Sequence, residues 1–522
     1  ECGSRSVLSE ALLGRLPIRD CLFCIDMKRI FSSALALFLG AGALYAQVPR
    51  HSQDIMLQGF YWNSQSLTGW TQLLPEVSDI SKSFTMIWLP PSATGEGDNK
   101  TGGLNVGYHP QQWSNQQSCW GSPADLKRLT AAFRQAGVHV IADIVINHRA
   151  GFTGWGDFSE DNFGAFGRFQ LTAEHICNTD EMNTDPNAGD WRGKATGAAD
   201  TGENWGGARD LDHANPYVRQ DVEAYLKWLK ADFGYDSWRY DFVKGFAGRY
   251  VGSYNAASQP YLSVGEYWDG GYDNCKAWIE ATGYNSTAFD FPMKYDALNN
   301  GLAKADFSKM TWQEDGKTWR PAGLIHHKST RAYAVTFVDN HDTDRDDNRF
   351  TGNVAQAYAF LFSSPGIPCV FWKHWTQYGK AIRSQIAARR AAGLTNESDV
   401  EVTVHDRYYE AHAQGDKGTL ICRIGEQAPT TVPEGYQLAA SGKGWAYYLS
   451  DNVASVPTIS GAPLIKVSGR SVSIAAASPV AVSISHLSGQ KFVSTTTNAY
   501  TTTLPSGTYV IQAGDTVRKV CL

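Results

Sequence analysis

Short apolar runs alternate with amphipathic segments along the chain from about residue 54 to residue 385. The apolar runs have the length of strands, and the segments between them repeat apolar residues at intervals of three and four. This alternation is typical of parallel strands joined by crossover helices. It predicts an α/β fold in which eight strands close into a (β/α)8 TIM barrel, with strands at 55–60, 84–89, 138–146, 235–242, 261–266, 287–291, 332–338 and 367–371.

Two of the predicted helices have clear start and stop signals. Ser122 followed by a proline can cap and open a helix that Gly137 ends, just before the third strand. Asn215 followed by a proline opens another helix, which Gly234 ends before the fourth strand. The helix ends therefore support the positions of the neighbouring strands independently of the strand pattern.

The barrel domain is expected to cover residues 47–385 and to be interrupted once. After the third strand, the chain is rich in Gly, Asp, Asn and Trp and is too long for an ordinary barrel loop. We interpret this stretch, approximately residues 149–210, as an excursion domain. Short strand patterns then predict an antiparallel β domain at residues 386–450 and a further small β-sandwich at residues 451–522.

The N-terminal residues have the pattern of an export signal. Residues 27–46 begin with Met and two basic residues, continue with an apolar run that is short for a membrane span, and end with small residues. We interpret this segment as a secretory signal peptide and residues 1–26 as a non-native upstream extension. The protein is therefore expected to be secreted, either free outside the cell or held at its surface, without a transmembrane segment in its mature form.

Charge and composition narrow the classes of partner. The net charge is −6, and no stretch of Lys and Arg offers a basic surface, which argues against nucleic acid. The chain has 17 Trp and 24 Tyr but only 19% charged residues, which suits a protein that packs aromatic rings against sugars. The alternative for most of these aromatic residues is an ordinary place in the core. The cysteines are too widely spaced for a zinc ribbon, and their pairing is left open.

Four carboxylates lie at the ends of separate predicted strands: Asp143, Asp241, Glu266 and Asp342. A charge there is costly unless it faces the open mouth of the barrel. A single such residue is commonly a cap or an ion-pair partner, but four on separate strands favour a reaction that needs carboxyl groups. Hydrolysis of a glycosidic bond needs a proton donor and a partner for the cationic sugar carbon. Arg239 lies two positions before Asp241, on the same strand face, and can hold that carboxylate ionised.

Four segments of the chain resemble the ordered motifs of glycoside hydrolase family 13, the family of the α-amylases. The segments are DIVINH at 143–148, WRYDFVKG at 238–245, VGEYW at 264–268 and FVDNHD at 337–342. The resemblance covers roughly residues 54–450 and is to the plant and archaeal branch of the family. The chain departs from the family pattern after the eighth strand, at 372–380, and at Glu203, where a small residue is common.

The resemblance implies a secreted, endo-acting α-amylase that cleaves internal α-1,4-glucosidic bonds of starch and maltooligosaccharides with retention of configuration. It implies that Asp241 is the nucleophile, that Glu266 is the general acid and base, and that Asp342 stabilises the transition state. The implied substrate contacts are Tyr108 under the sugar at the cleavage point, His148 and His341 as hydrogen-bond donors, Arg239 beside the nucleophile, and Lys244 and Trp268 on the leaving-group side.

A calcium site is also implied by the resemblance. Asn147, Asp200 and Asp210 are the implied side-chain ligands, and Glu203 and Gly245 the implied backbone carbonyls. Oxygen ligands of this kind suit a hard cation such as Ca²⁺. The alternative is that the two aspartates stabilise turns only.

Several alternatives remain open at this point. A transglycosylase or a maltooligosaccharide-forming amylase would share the same motifs. A noncatalytic glucan-binding protein is disfavoured because all three implied catalytic carboxylates are present. The end of the chain resembles the sorting domains of type IX secretion, which would make an export apparatus a partner; glucan binding and a structural appendage are the alternatives for this module. We expect a monomer.

Overall fold

The computed structural model describes residues 48–97, 106–453, 464–514 and 516–522. The predicted upstream extension and signal peptide lie outside this part of the chain and stay predictions. Within the described residues, no helix is both long enough and apolar enough to cross a membrane, and no disulfide bond joins the cysteines.

Eight parallel strands, labelled β1 to β8, close into a barrel in the order of the sequence, as predicted. They are Met56–Gln58, Met86–Leu89, His139–Ile144, Ser237–Tyr240, Ser263–Gly265, Thr287–Phe289, Ala334–Phe337 and Ile367–Phe371. The ring closes where β1 pairs with β8, with Met56 opposite Cys369. Most strands are shorter than their apolar runs. Two strands end directly before Asp241 and Glu266.

The two helices with clear end signals begin and end as predicted. The Ser122 side chain accepts a hydrogen bond from the Asp125 backbone, and the helix Pro123–Gln135 follows. Asn215 likewise caps the helix Pro216–Trp228, whose last turn, Leu229–Phe233, is a π-helix. Gly234 ends it with a φ of 73°, a left-handed conformation that glycine adopts without strain.

The other helices of the barrel follow the first strand and the strands from β4 onward. The longer ones are Gly248–Ser258, Tyr272–Ala281, Val354–Phe362 and Trp372–Ala392. The shorter ones are Gln65–Thr68, Trp70–Leu73, Val77–Ser83 and Phe291–Met293, the last continued by the π-helical turn Lys294–Gly301. The last long helix runs past residue 385, where the sequence pattern placed the end of the barrel. Just beyond it, Asn396 accepts a 2.7 Å hydrogen bond from the Ser52 backbone, which joins the two ends of the barrel.

The excursion after β3 has little regular structure and is held by buried charges. The short strands His148–Arg149 and Arg209–Asp210 pair antiparallel at its base. Arg149 contacts Asp161 at 2.6 Å, with both side chains fully buried, and Arg209 contacts Asp180 at 2.6 Å. In each pair the arginine compensates the charge of a buried carboxylate.

Two antiparallel sheets follow the barrel. The first contains Val400–His405, Tyr409–Gln414, Thr419–Ile424, Tyr436–Gly442 and Trp445–Ser450. It packs on the helix Val354–Phe362, where Cys422 and Tyr447 both donate to the carbonyl oxygen of Ala359. The second contains Leu464–Ser468, Ser471–His486, Lys491–Thr503, Thr508–Ala513 and Thr516–Cys521, with a separate apolar core. Both sheets agree with the predicted β domains.

Candidate active site

Arg239 joins three of the four strand-end carboxylates. Its buried guanidinium contacts Asp143 and Asp241 through Nη1, at 2.7 Å each, and Glu266 through Nη2 at 2.6 Å. Asp143 on β3 lies in register with Arg239 on β4, and Glu266 follows the next strand. Three neighbouring strands thus bring three acids to one cation, so the cluster cannot be neutral with all three acids ionised.

The electrostatics of this cluster favour retention of a proton. Burial raises the pKa of Asp143 to about 7, against the opposing charge of Arg239. Burial also raises the pKa of Asp241, and again Arg239 opposes the shift. The pKa of Glu266 is raised well above its usual value by burial, with the Asp241 charge adding to the shift. A protonated carboxyl and an ionised carboxylate side by side can act as acid and nucleophile.

The backbone after β4 is strained in a way that reaches Glu266. Phe242 has a φ of +40°, which is unusual for a bulky residue. Its N–H donates to Glu266 Oε2 at 3.1 Å. The strained turn therefore fixes the Glu266 carboxyl at the end of the strand next to Asp241.

Asp342 lies beside a tryptophan and a histidine. Trp62 Nε1 donates to Asp342 Oδ1 at 3.0 Å, and His341 Nε2 lies 3.2 Å from Asp342 Oδ2. Burial lowers the pKa of His341 to about 4, so its imidazole is neutral near pH 7. Since Gln58 donates to His341 Nδ1, the single imidazole proton lies on Nε2, which makes no hydrogen bond with the described residues.

One cavity of about 260 Å³ opens at the mouth of the barrel and includes Asp241, Glu266 and Asp342 in its lining. Tyr108, His148 and Trp268, three of the predicted substrate contacts, also line it. The remaining lining is aromatic: Trp62, His109, Trp205 and Phe242. A larger cavity of about 500 Å³, between the helix Trp372–Ala392 and the strand Tyr436–Gly442, contains none of the predicted residues.

These three predicted substrate contacts have varied surroundings. Tyr108 donates to Asp143 at 2.7 Å, and its ring stacks on that of His341. His148 donates from Nε2 to the Tyr108 carbonyl oxygen, so its proton is already engaged with the backbone. Trp268 donates to the Tyr295 hydroxyl at 2.6 Å. These partners, and the places of Trp205 and Phe242 in the lining, could not be predicted from the sequence.

Lys244 lies outside the lining of the cavity. Its ammonium contacts Glu203 at 2.8 Å and Asp269 at 3.7 Å. Glu203, the residue that departs from the family pattern, thus binds the lysine that the resemblance placed on the leaving-group side.

The predicted calcium ligands come together beside the active site. Asn147 donates from its amide to Asp210 at 2.9 Å, and a Cβ on Gly245 would lie only 1.9 Å from Asn147 Oδ1. Burial and the neighbouring Asp200 charge raise the pKa of Asp210 to about 8. Asp200 Oδ2 is buried and accepts no hydrogen bond from the described residues. Glu203 approaches through its backbone, whose N–H donates to the Lys244 carbonyl oxygen.

This set of oxygen atoms fits a hard cation. The carboxylates of Asp200 and Asp210 are crowded, and Asp200 has a buried oxygen without a hydrogen bond. Within the described residues, no lysine or arginine forms an ion pair with either carboxylate, so positive charge is needed there. A second acidic group, Glu314, Asp315 and His327, has ligand atoms within 4.8 Å of one another. There, however, Glu314 already contacts Arg320 and Arg331, so its charge is compensated.

A (β/α)8 barrel with clustered carboxylates at its mouth suits the hydrolysis of glycosidic bonds. The family model described as "Alpha amylase, catalytic domain" matches residues 63–374. Probable alpha-amylase 2 of Arabidopsis thaliana is 32% identical over 77% of this chain and 95% of its own length. Chloroplastic alpha-amylase 3 of the same plant is 30% identical, over 79% of this chain and 47% of its own length.

More distant relatives include another glucan hydrolase and a solved α-amylase structure. Glucan 1,4-alpha-maltotetraohydrolase of Roseateles saccharophilus is 28% identical over 74% of this chain and 70% of its own length. The structure of an alpha-amylase from Malbranchea cinnamomea has a TM-score of 0.54 at 16% identity, over 78% of this chain and 98% of that one. The chain belongs to the α-amylase family, glycoside hydrolase family 13, and resembles its plant branch. It is an α-amylase-type hydrolase of starch-like glucans.

Proposed function

We propose that the protein is a secreted, endo-acting α-amylase that hydrolyses internal α-1,4-glucosidic bonds with retention of configuration. The observation that carries this proposal is the shared contact of Asp241 and Glu266 with the guanidinium of Arg239. One cation can hold both groups only if they are close together. Retaining enzymes have carboxyl groups about 5–5.5 Å apart, whereas inverting enzymes leave room for a water molecule between them.

In the first step of the proposed reaction, Glu266 gives its proton to the glycosidic oxygen while Asp241 attacks the anomeric carbon. The bond from carbon to the leaving oxygen breaks, and a β-glucosyl ester on Asp241 forms. The shortened chain leaves as an alcohol. The raised pKa of Glu266 keeps the required proton available near neutral pH.

In the second step, the Glu266 carboxylate takes a proton from water, and the oxygen of that water attacks the same carbon from the opposite face. The ester bond breaks, Asp241 leaves as a carboxylate, and the product has the α configuration again. Asp342 accepts hydrogen bonds from hydroxyl groups of the distorted sugar, and the hydrogen bond from Trp62 holds it in place. The ring of Tyr108 forms a wall beside the reacting sugar.

The products of starch digestion test the endo-acting mode. Because the cleft is open at the barrel mouth, we expect rapid loss of iodine colour and a mixture of short maltooligosaccharides from soluble starch. Proton NMR during the first turnovers should show α-anomers. The similarity to a maltotetraohydrolase supports the second candidate, a maltooligosaccharide-forming enzyme. A single dominant product would favour it, and elongated or cyclic products would favour transglycosylation.

We further propose that a Ca²⁺ ion bound by Asn147, Asp200, Asp210 and the backbone at Glu203 and Gly245 links the excursion to the barrel. When bound, the ion supplies positive charge to the two crowded carboxylates. Asn147, Asp200 and Asp210 are not among the residues that line the cavity, so the proposed role of the ion is structural.

Removal of the ion should lower the melting temperature. A ligand present at about 100 times its dissociation constant stabilises the folded state by about 2.7 kcal/mol. EDTA is expected to remove this stabilisation, and added Ca²⁺ should restore it, as followed by differential scanning calorimetry. Asp200→Asn should respond weakly to either treatment. Equal melting temperatures of the wild type with EDTA and with Ca²⁺ would rule the site out.

Export is proposed from residues 27–46 alone. Mass spectrometry of protein recovered from the culture medium of an expressing bacterium should find a chain that begins near Gln47. Recovery of the full chain from the cells only would contradict export. Size-exclusion chromatography with light scattering would test the proposed monomer.

A further inference from the structure

Trp205, in the excursion, lies at the wall of the cavity that contains the catalytic carboxylates. Its ring stacks on His148 with centroids 4.0 Å apart. On another side it meets the ring of Phe242, the residue after Asp241, at 6.4 Å. The indole is therefore next to the point at which the glucan is cleaved.

The position of this indole is fixed from several directions. His109 packs edge-on against it at 5.2 Å, and the Trp205 backbone N–H donates to Asp210 Oδ2 at 2.9 Å. The ring also lies over Gly207, where a Cβ would approach within 2.2 Å of it. Any other residue at position 207 would push the ring away. A ring held in this way loses little conformational entropy when it contacts a ligand.

None of the hydrogen bonds to Asp241, Glu266 or Asp342 described above comes from Trp205. Its indole adds apolar surface to a cavity whose reacting groups are charged. The C–H faces of a glucosyl ring are the part of the substrate that apolar aromatic surface can bury. A residue in this place contributes to where the glucan is held and leaves the proton transfers to the carboxylates.

We propose that Trp205 is a specificity-determining residue whose indole packs against the glucosyl unit next to the cleaved bond and thereby sets the lengths of the products. This inference rests on the proposed α-amylase function. Loss of the indole weakens binding on one side of the cleavage point, so the glucan shifts between its possible positions in the cleft.

The test compares Trp205→Ala, Trp205→Phe and a matched control, Trp191→Ala. Trp191 belongs to the same excursion but packs under Lys194, away from the cavity lining. For maltoheptaose, Trp205→Ala is expected to raise KM about tenfold, the factor that corresponds to about 1.4 kcal/mol. Its kcat should change less than KM, and its product lengths should differ from those of the wild type. The KM of Trp205→Phe should lie between those of the wild type and Trp205→Ala. Trp191→Ala should have the KM and product lengths of the wild type.

A second variant separates displacement of the ring from its loss. Gly207→Ala keeps the indole but moves it, and should reproduce the product pattern of Trp205→Ala. If Gly207→Ala does not fold, calorimetry can measure maltoheptaose binding to Glu266→Gln and to the double variant Glu266→Gln, Trp205→Ala. The double variant is expected to bind maltoheptaose about tenfold more weakly.

Several results would overturn the inference. KM and product lengths of Trp205→Ala within a factor of two of the wild type would do so, as would a fall in kcat and melting temperature with KM unchanged, which indicates a structural role. A wild type that does not hydrolyse starch would instead refute the proposed function. The wild-type assay therefore distinguishes the two failures.

Discussion

Asp241→Asn is expected to lower kcat/KM on starch by at least about 10⁴-fold, and Glu266→Gln by about 10²- to 10⁴-fold. An amide in place of Asp241 cannot form the ester, and an amide in place of Glu266 cannot give a proton to the leaving oxygen. The melting temperature should stay the same or rise in both variants. Three buried carboxylates share one guanidinium, and neutralising one of them relieves repulsion.

Azide can separate the two roles. With α-maltosyl fluoride, whose leaving group needs no proton, Glu266→Ala should still form the ester, and azide should then give the α-glycosyl azide. Asp241→Ala should instead give the β-azide, because azide takes the place of the missing nucleophile.

Glu280→Gln and Asp273→Asn, on the exposed face of the helix Tyr272–Ala281, are matched controls that should retain full activity. Activity above about a hundredth of wild type in both active-site amides would contradict the assignment.

Arg239→Met is expected to have the second large effect, on both stability and pH dependence. Removing one partner of a buried ion pair typically costs about 3–5 kcal/mol, because the remaining charge is left uncompensated. Arg239 lowers the pKa of Asp241, so its loss raises that pKa. A smaller fraction of Asp241 is then ionised at any given pH. The acidic limb of the kcat/KM profile should therefore move to higher pH.

Chemical denaturation and a pH–rate profile measure these two effects. Lysine in Arg239→Lys keeps the positive charge but lacks the planar group that contacts three carboxylates. Its free energy of unfolding and its acidic limb should therefore lie between those of the wild type and Arg239→Met. Adding Asp143→Asn to Arg239→Met should restore part of the lost stability, since one uncompensated acid is removed. An Arg239→Met variant with wild-type stability and an unmoved acidic limb would show that the guanidinium does not organise the cluster.

The barrel and the carboxylates at its mouth could be predicted because regular elements govern both. The alternation of apolar runs predicted the order of the strands. A charged residue at the end of a buried strand is costly unless it faces the open mouth of the barrel. Asp241 and Glu266 were therefore expected to lie close together at that mouth. The contact of both with Arg239 follows from strand alternation and register. Helix ends at Ser122 and Asn215 were predictable because a cap acts within a few residues.

Contacts from irregular segments could not be predicted in the same way. Lys244 binds Glu203, and His148 gives its proton to the Tyr108 carbonyl oxygen, across loops that have no periodic pattern. Trp205 lies close to the cavity because the end of the excursion pairs with His148–Arg149, which follow β3. One signal was available for Trp62, since it follows β1 as closely as other residues of the mouth follow their strands.

The closing pair of the barrel has a consequence for the growing chain. Strands β2 to β7 pair with neighbours in the sequence, but β1 must wait for β8, which is made last. Until then the sheet has two open edges, each with a row of unpaired backbone groups of the kind that recruits other chains. Release of the nascent chain before residue 371 would leave both edges exposed. The contact between Ser52 and Asn396 forms only after residue 396 has been synthesised. Aggregation during synthesis therefore depends most on how quickly β8 and the helix Trp372–Ala392 are completed.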